Sequence, residues 1–151
     1  MITRIRAAGI IIHNEQVLLH RVEDFWVLPG GAVEFETSRN GLKREFDEEL
    51  GIEVTIGPLV WVAENFFKYY EEKEQSIEFY YRVDLPPNSE LYDRQAFEGY
   101  EHTGDEKLEF QWHKLDQLHK VKTLPEFLEA NLKQLKADGE NEIKHIINKK
   151  I

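Results

Sequence analysis

The stretch Gly30-Gly31-Ala32-Val33-Glu34-Phe35-Glu36, followed after seven residues by Arg44-Glu45-Phe46-Asp47-Glu48-Glu49-Leu50-Gly51-Ile52, decides how this chain is read. Its spacing is G-x5-E-x7-R-E-U-x-E-E-x-G-U, with U apolar. Thr37 offers an N-cap oxygen and Gly51 a stop, which bounds a helix of about thirteen residues. On a wheel turning about 100° per residue, Leu42, Phe46 and Leu50 form one stripe, and Glu45, Glu48 and Glu49 cluster on its flank. Carboxylates at i, i+3 and i+4 meet and repel one another. A hard, oxygen-seeking cation such as Mg²⁺ or Mn²⁺ turns that repulsion into binding. A solvated acidic face would explain the three glutamates alone, but not the glycine loop, Glu36 and Arg44. Gly41, mid-helix, costs roughly 1 kcal/mol against alanine. Two readings of it stand: tolerated drift, which is favoured, and close approach of the helix to the loop beneath.

Working outward, residues 5–12 and 17–22 read as strands joined by a turn at Asn14, and residues 25–28 as a third short strand stopped by Pro29-Gly30-Gly31. Beyond Gly51, residues 52–56 and 59–67 read as two strands. Ile77, Phe79, Tyr81 and Val83 alternate with polar or amphipathic neighbours, which predicts a half-buried strand over 77–84. Residues 86–106 show no clear period and read as a long loop, of a length that is usually functional or mobile. Leu108, Phe110 and Trp112 restore a two-residue alternation. Thr123-Leu124-Pro125-Glu126 reads as a capping box opening a C-terminal helix from about 124, with Leu128, Leu132 and Leu135 on its stripe and Asp138-Gly139 as its stop. A charged tail carrying Ile143, Ile146 and Ile147 follows. Strands with few helices in mixed order predict an α/β or α+β sandwich around a mixed sheet, in one domain over residues 1–151.

Composition narrows the function classes. There is no cysteine, which excludes a disulfide framework and a thiolate metal site. A formal net charge of -10 argues against wrapping a long nucleic acid, whose binding rests on basic groups that displace counterions. It leaves room for a small phosphorylated substrate, because a bound metal reverses the sign locally. No apolar run approaches a membrane span or the h-region of a signal peptide, so the default location is cytoplasmic.

The segment 30–52 resembles the Nudix box, the signature of the Nudix hydrolase superfamily (MutT-like enzymes), and the strand order around it is similar to that family over most of the chain. The resemblance implies an α/β/α sandwich with a mixed β-sheet. It also implies a divalent-metal-dependent pyrophosphohydrolase that cleaves a nucleoside diphosphate linked to another moiety. Carried over, it makes Gly30, Glu45, Glu48 and Glu49 metal ligands for Mg²⁺ or Mn²⁺, with one glutamate as general base. Glu36 and Arg44 become the ion pair holding loop to helix, with Phe46 and Ile52 as anchors. Family members commonly place a second glycine just before the box glutamate. Here the loop runs Phe35-Glu36-Thr37, so the x5 spacing holds from Gly30 and is one short from Gly31, which leaves open which glycine faces the metal.

Outside the box, the resemblance implies a further carboxylate late in the chain, shortly before a strand ending in Trp. Spacing from Trp112 selects Glu106, with Glu109 as runner-up, so that Glu45, Glu48 and Glu106 are the catalytic candidates. Tyr92, Phe97 and Tyr100 in the long loop are candidates for a substrate-binding lid. Most aromatics among Phe66, Phe67, Tyr69, Tyr70, Tyr80 and Tyr81 are expected in the core or on strand faces, although nucleobases stack on such rings. The expected partner is a small nucleotide-derived substrate, with no long nucleic acid and no membrane; the resemblance also allows a homodimer. Two other readings are a catalytically silent nucleotide-sensing module and a pyrophosphohydrolase acting on RNA 5′ ends.

Overall fold

The computed structural model describes residues 1–101, 106–135 and 142–150. Among the described residues there are ten strands: β1 (Ile2–Ile10), β2 (Ile12–His13), β3 (Gln16–Val22), β4 (Phe25–Val27), β5 (Gly30–Ala32), β6 (Thr55–Tyr69), β7 (Glu72–Asp84), β8 (Ala96–Tyr100), β9 (Lys107–Lys114) and β10 (Lys144–Lys150). Helix α1 spans Ser38–Leu50 and α2 spans Leu128–Lys133, with short 3-10 helices at Glu90–Asp93 and Leu115–Lys120. One sheet runs β10-β6-β7-β1-β5; the other runs β2-β3-β9-β8, with β4 against β3. β1 pairs β7 and β6 pairs β10 in parallel, while the remaining pairs are antiparallel, so the architecture is mixed as expected.

Two apolar cores lie on opposite sides of the β layer. Ala7 and Leu18 pack toward α1 with Leu42, Phe46, Val83, Phe97 and Phe110. Ala8, Val17 and Leu19 pack the other way, with Trp61, Tyr80, Leu118, Leu128 and Leu132. Side chains alternate across a strand, so β1 feeds both cores through adjacent alanines small enough for close packing. The result is the expected α/β/α sandwich.

Four expectations change. The strands expected at 52–56 and 59–67 are one long β6, whose pairing with β7 shifts register between Ile56 and Trp61. Pro58 lies inside that irregularity and has no N–H to give a ladder. The presumed loop 86–106 contains the 3-10 helix at Glu90–Asp93 and strand β8. The C-terminal helix does not start at the capping box. Leu124 N–H donates to the Trp26 carbonyl and Trp26 N–H to the Lys122 carbonyl, which ties this segment to β4 in extended form. Helix α2 therefore begins only at Leu128, without a side-chain cap, and its expected stop at Asp138-Gly139 lies outside the described residues. The charged tail is strand β10, which buries Ile146 and leaves Ile147 exposed. Its lysines mark an edge strand, where charge discourages further pairing.

Candidate active site

Helix α1 forms where the spacing predicted. The Thr37 side chain accepts from Asn40 N–H at 3.1 Å, and Gly51, at φ 65°, closes the helix with its N–H on the Asp47 carbonyl at 2.9 Å. Only glycine adopts that left-handed conformation without strain. Leu42 and Phe46 are buried and Leu50 packs partly against them, so the helix is held by the stripe the wheel assigned. The glutamates stand on its flank.

Arg44 is the hub of the loop and the helix. Its Nε donates to Glu36 Oε1 at 3.0 Å and its Nη2 to Glu36 Oε2 at 2.7 Å, a bidentate pair of the kind only a planar guanidinium makes. Nη2 also reaches the Ala32 carbonyl at 3.1 Å, and Nη1 reaches Glu45 Oε1 and Glu48 Oε2, each at 3.2 Å. The hydrogen bonds from Arg44, and then the Glu34 N–H, hold the Glu36 carboxyl well below the usual carboxylate range. Arg44 is raised further, chiefly by its bonds to Glu36. The ion pair expected of the box is present.

The Cα of Gly31, not that of Gly30, faces Glu45. A Cβ on Gly31 would overlap the Glu45 carboxylate, whereas one on Gly30 would run into the backbone of Ala7 and Ala8 in β1. Gly30 is thus a strand-approach glycine, and Gly31 leaves the room that Glu45 occupies. Gly41 has a related cause. A Cβ there would stand 3.0 Å from Glu36 Oε2, so the mid-helix glycine accommodates the pinned carboxylate, and the favoured reading of drift gives way to close approach.

Glu49 stands close to Glu45, one helical turn back on α1. Burial first, and then Glu45, push the Glu49 carboxyl well above the ordinary carboxylate range, with a further contribution from Glu101 and opposition from Arg6. A buried carboxylate raised by a second one beside it marks a place where negative charge is crowded and partly dehydrated. That donor set suits a hard divalent cation, which would take the place of the proton. Among the described residues, no His, Asp or Glu group is closed into a metal-ligand cluster; Arg44 engages Glu45 and Glu48 here.

The fourth carboxylate was sought at Glu106. That residue is exposed, and its carbonyl accepts the Glu101 N–H at 2.9 Å where the β8–β9 connection closes. Glu101 is one of the charges that raise Glu49, after burial and Glu45. It follows β8, whose Gly99 lies against α1 so closely that a Cβ would come within 2.6 Å of the Glu49 carbonyl. A glycine at a strand end, two residues before a carboxylate, was the signal available in the sequence. Glu109 pairs with Arg21 at 3.5 Å on the surface.

The lid assignment fails for two of its three residues. Phe97 is 6% exposed and stacks on Phe110 inside the α1-side core. The Tyr92 hydroxyl accepts from Leu85 N–H at 3.0 Å, and its ring stacks on Trp112. Both are structural, because β8 and the 3-10 helix replace the loop. Tyr100 remains exposed, beside Glu101.

An open cleft of about 730 Å³ lies on the other side of β1, within the usual size range of small-molecule sites. Arg4, Arg6, His20, Phe25, Phe67, Tyr69, Ser76, Glu78 and Tyr80 are among its walls. Arg6 donates to the Leu28 carbonyl at 3.0 Å and is close enough to bias both Glu49 and Tyr80, so it stands between cleft and glutamates. Burial, aided by Arg6, lowers His20 to about 4, which keeps it neutral near pH 7.

The NUDIX domain model matches residues 3–136. A NUDIX hydrolase from Nitrosomonas europaea shares 21% identity and a TM-score of 0.66 over 99% of this chain and 81% of that one. A MutT NUDIX hydrolase from Burkholderia pseudomallei shares 22% identity and a TM-score of 0.62 over 90% of this chain and 100% of that one. An ADP-ribose pyrophosphatase from Streptococcus suis shares 16% identity and a TM-score of 0.56 over 94% of this chain and 98% of that one. At these identities the likeness is one of fold. No curated protein matches the sequence significantly. With the box intact and the domain model spanning most of its length, the chain belongs to the Nudix family. The enzyme class is that of hydrolases acting on phosphoric anhydrides.

Proposed function

We propose that this protein is a divalent-metal-dependent pyrophosphohydrolase that cleaves a nucleoside diphosphate linked to another moiety. The observation that carries the reading is the Glu45–Glu49 pair on α1, with Glu45 fitted against Gly31 and tied to Arg44. Glu45, Glu48 and Glu49 would hold Mg²⁺ or Mn²⁺, and the metal would neutralise phosphoryl oxygens and lower the pKa of the attacking water. A carboxylate of the trio accepts the proton as the water oxygen bonds to phosphorus. The bridging P–O bond breaks, and the bridging oxygen leaves on the departing phosphate. Arg44 keeps the glutamates in place, and Arg6 offers positive charge at the passage to the cleft. ADP-ribose belongs in the substrate screen because a structural neighbour is named for it.

The test is a panel of nucleoside triphosphates, nucleoside diphosphate sugars and ADP-ribose with Mg²⁺ or Mn²⁺, read by product identity. Release of a nucleoside monophosphate, lost in both Glu48→Gln and Glu49→Gln, is the expected result. Full activity in both variants refutes the reading. Tight nucleotide binding without turnover at any divalent metal would favour a sensing module instead.

A further inference from the structure

The inner wall of the cleft carries a buried carboxylate for which the metal chemistry has no use. Strand register places Glu78 on β7 beside Arg6 of β1 and Ala63 of β6, with Ser76 beside Asn65, and Asn65 beside Asn148 of β10. Glu78 is 4% exposed and Asn65 6%. Tyr80 donates its hydroxyl to Glu78 Oε1 at 2.7 Å, and Asn65 Nδ2 approaches Oε2 at 3.4 Å. The Asn65 Oδ1 accepts from Asn148 Nδ2 at 2.9 Å, which turns the Asn65 amide nitrogen toward Glu78. Burial and Glu78 itself keep Tyr80 protonated, so this bond brings no positive charge. Among the described residues, no lysine or arginine forms an ion pair with Glu78.

A buried carboxylate held by two neutral donors is under-satisfied, because each oxygen can accept at least one further hydrogen bond. Its open directions face a cleft also lined by the rings of Phe25, Phe67 and Tyr69. We propose that Glu78 is the residue that selects the base, accepting the two adjacent N–H donors of a guanine that lies among these rings. This rests on the reading of the cleft as the nucleotide site. A carboxylate presents two parallel acceptors, and guanine is the base whose pairing edge presents two adjacent donors, N1–H and the N2 amino group. Adenine and cytosine set a donor beside an acceptor, and uracil flanks its single N–H with two carbonyls that would face the carboxylate oxygens. Aromatic walls suit a flat base, since base–ring stacking is tolerant of position. Arg6 stands one strand from Glu78 in the same cleft and offers positive charge to the phosphates of a base seated there.

A ribose 2′,3′-diol also offers two adjacent donors, and the test separates it from the base. The wild-type enzyme is assayed with GTP, ITP, ATP, CTP, UTP and dGTP under one metal condition. Guanine is expected to lead in kcat/KM by roughly 10- to 100-fold, the discrimination usual for a bidentate base contact. ITP, which lacks the amino group, falls between, and dGTP stays close to GTP. Glu78→Gln replaces one acceptor by a donor and is expected to bring the guanine-to-adenine ratio of kcat/KM toward one, mainly through KM. Tyr80→Phe, which removes the bond that holds Glu78 Oε1 in place, shifts the ratio in the same direction by less. Equal use of all bases by the wild type overturns the proposal whether or not the variants fold. So does a Glu78→Gln effect equal for every base, or a loss with dGTP as large as that with ATP. Calorimetric binding of GMP and AMP to the wild type and Glu78→Gln isolates the proposal from turnover. GMP preference that depends on Glu78 supports it even if no nucleotide is hydrolysed, whereas hydrolysis without base preference refutes it and leaves the hydrolase reading standing.

Discussion

Replacing Gly31 with alanine tests how closely the glycine loop and Glu45 are fitted. The new methyl group would occupy the space of the Glu45 carboxylate, with no other obstacle among its three nearest atoms. To regain van der Waals separation the carboxylate must retreat by about 1 Å. It is the far end of a flexible side chain, so the retreat is a rotamer change and the backbone need not move. Gly31 sits in the short strand β5, where glycine is less favourable than alanine by roughly 0.5–1 kcal/mol. That gain offsets the loss of the Arg44 Nη1 contact to Glu45, which is of similar size for a partly solvated charged pair. Net stability should therefore change by less than about 1 kcal/mol, a melting shift under about 4 °C for a chain of this length. Activity should fall by about 100-fold, the usual cost of misplacing a site group by 1 Å. The assay pairs kcat/KM for a substrate found in the panel with urea unfolding of the same preparation. Unchanged activity refutes the placement of Glu45 against Gly31; a loss of activity matched by a large loss of stability refutes the claim that only the site is disturbed.

Three further outcomes follow from the packing and the charges. Gly99→Ala meets the Glu49 carbonyl and the Phe110 ring, neither of which can rotate away, and should destabilise the protein by about 1–3 kcal/mol in urea unfolding; a gain in stability contradicts the close approach of β8 to α1. Phe97→Ala should cost about 3–5 kcal/mol as a core truncation, whereas a lid residue would alter KM and leave the unfolding midpoint in place. Glu49 is raised in the folded, metal-free protein, so its protonated form goes with the fold. The stability it contributes is complete below the ordinary carboxylate pKa of about 4.3 and is lost as pH rises from there through the raised value. Glu49→Gln should flatten that slope, and Mg²⁺ binding to the wild type should release protons, measurable by calorimetry in buffers of different ionisation enthalpy; pH-independent apo stability in the wild type contradicts the raised Glu49 carboxyl.

Much of the site was legible because it is local. Thr37, Gly51 and the stripe Leu42, Phe46 and Leu50 specify one helix within a short window, and the helix period alone then gathers Glu45, Glu48 and Glu49 on its flank. Arg44 and Glu36 are eight residues apart and also within reach of local rules. The elements misread were those whose partners are distant. Residues 144–150 are lysine-rich and look like a solvated tail until β6 supplies hydrogen bonds from residues 61–67. The segment after Thr123 carries a helix signal, but β4 takes its backbone donors first.

By itself, then, the sequence determined the helix and the acidic flank it carries, because capping, amphipathic period and carboxylate spacing act between residues a few positions apart, and its resemblance to the Nudix box implied the reaction class. Only the tertiary structure decided that a Cβ on Gly31 rather than on Gly30 would meet Glu45, that Glu101 lies within electrostatic range of Glu49, and that Phe97 and Tyr92 are structural. It alone brought Asn65, Glu78 and Tyr80 to one wall with Asn148 behind them. Tyr80 meets Glu78 within one strand, but Asn65 reaches it across the β6–β7 pair and Asn148 joins from the far end of the chain, and there strand register, not local spacing, sets which side chains meet.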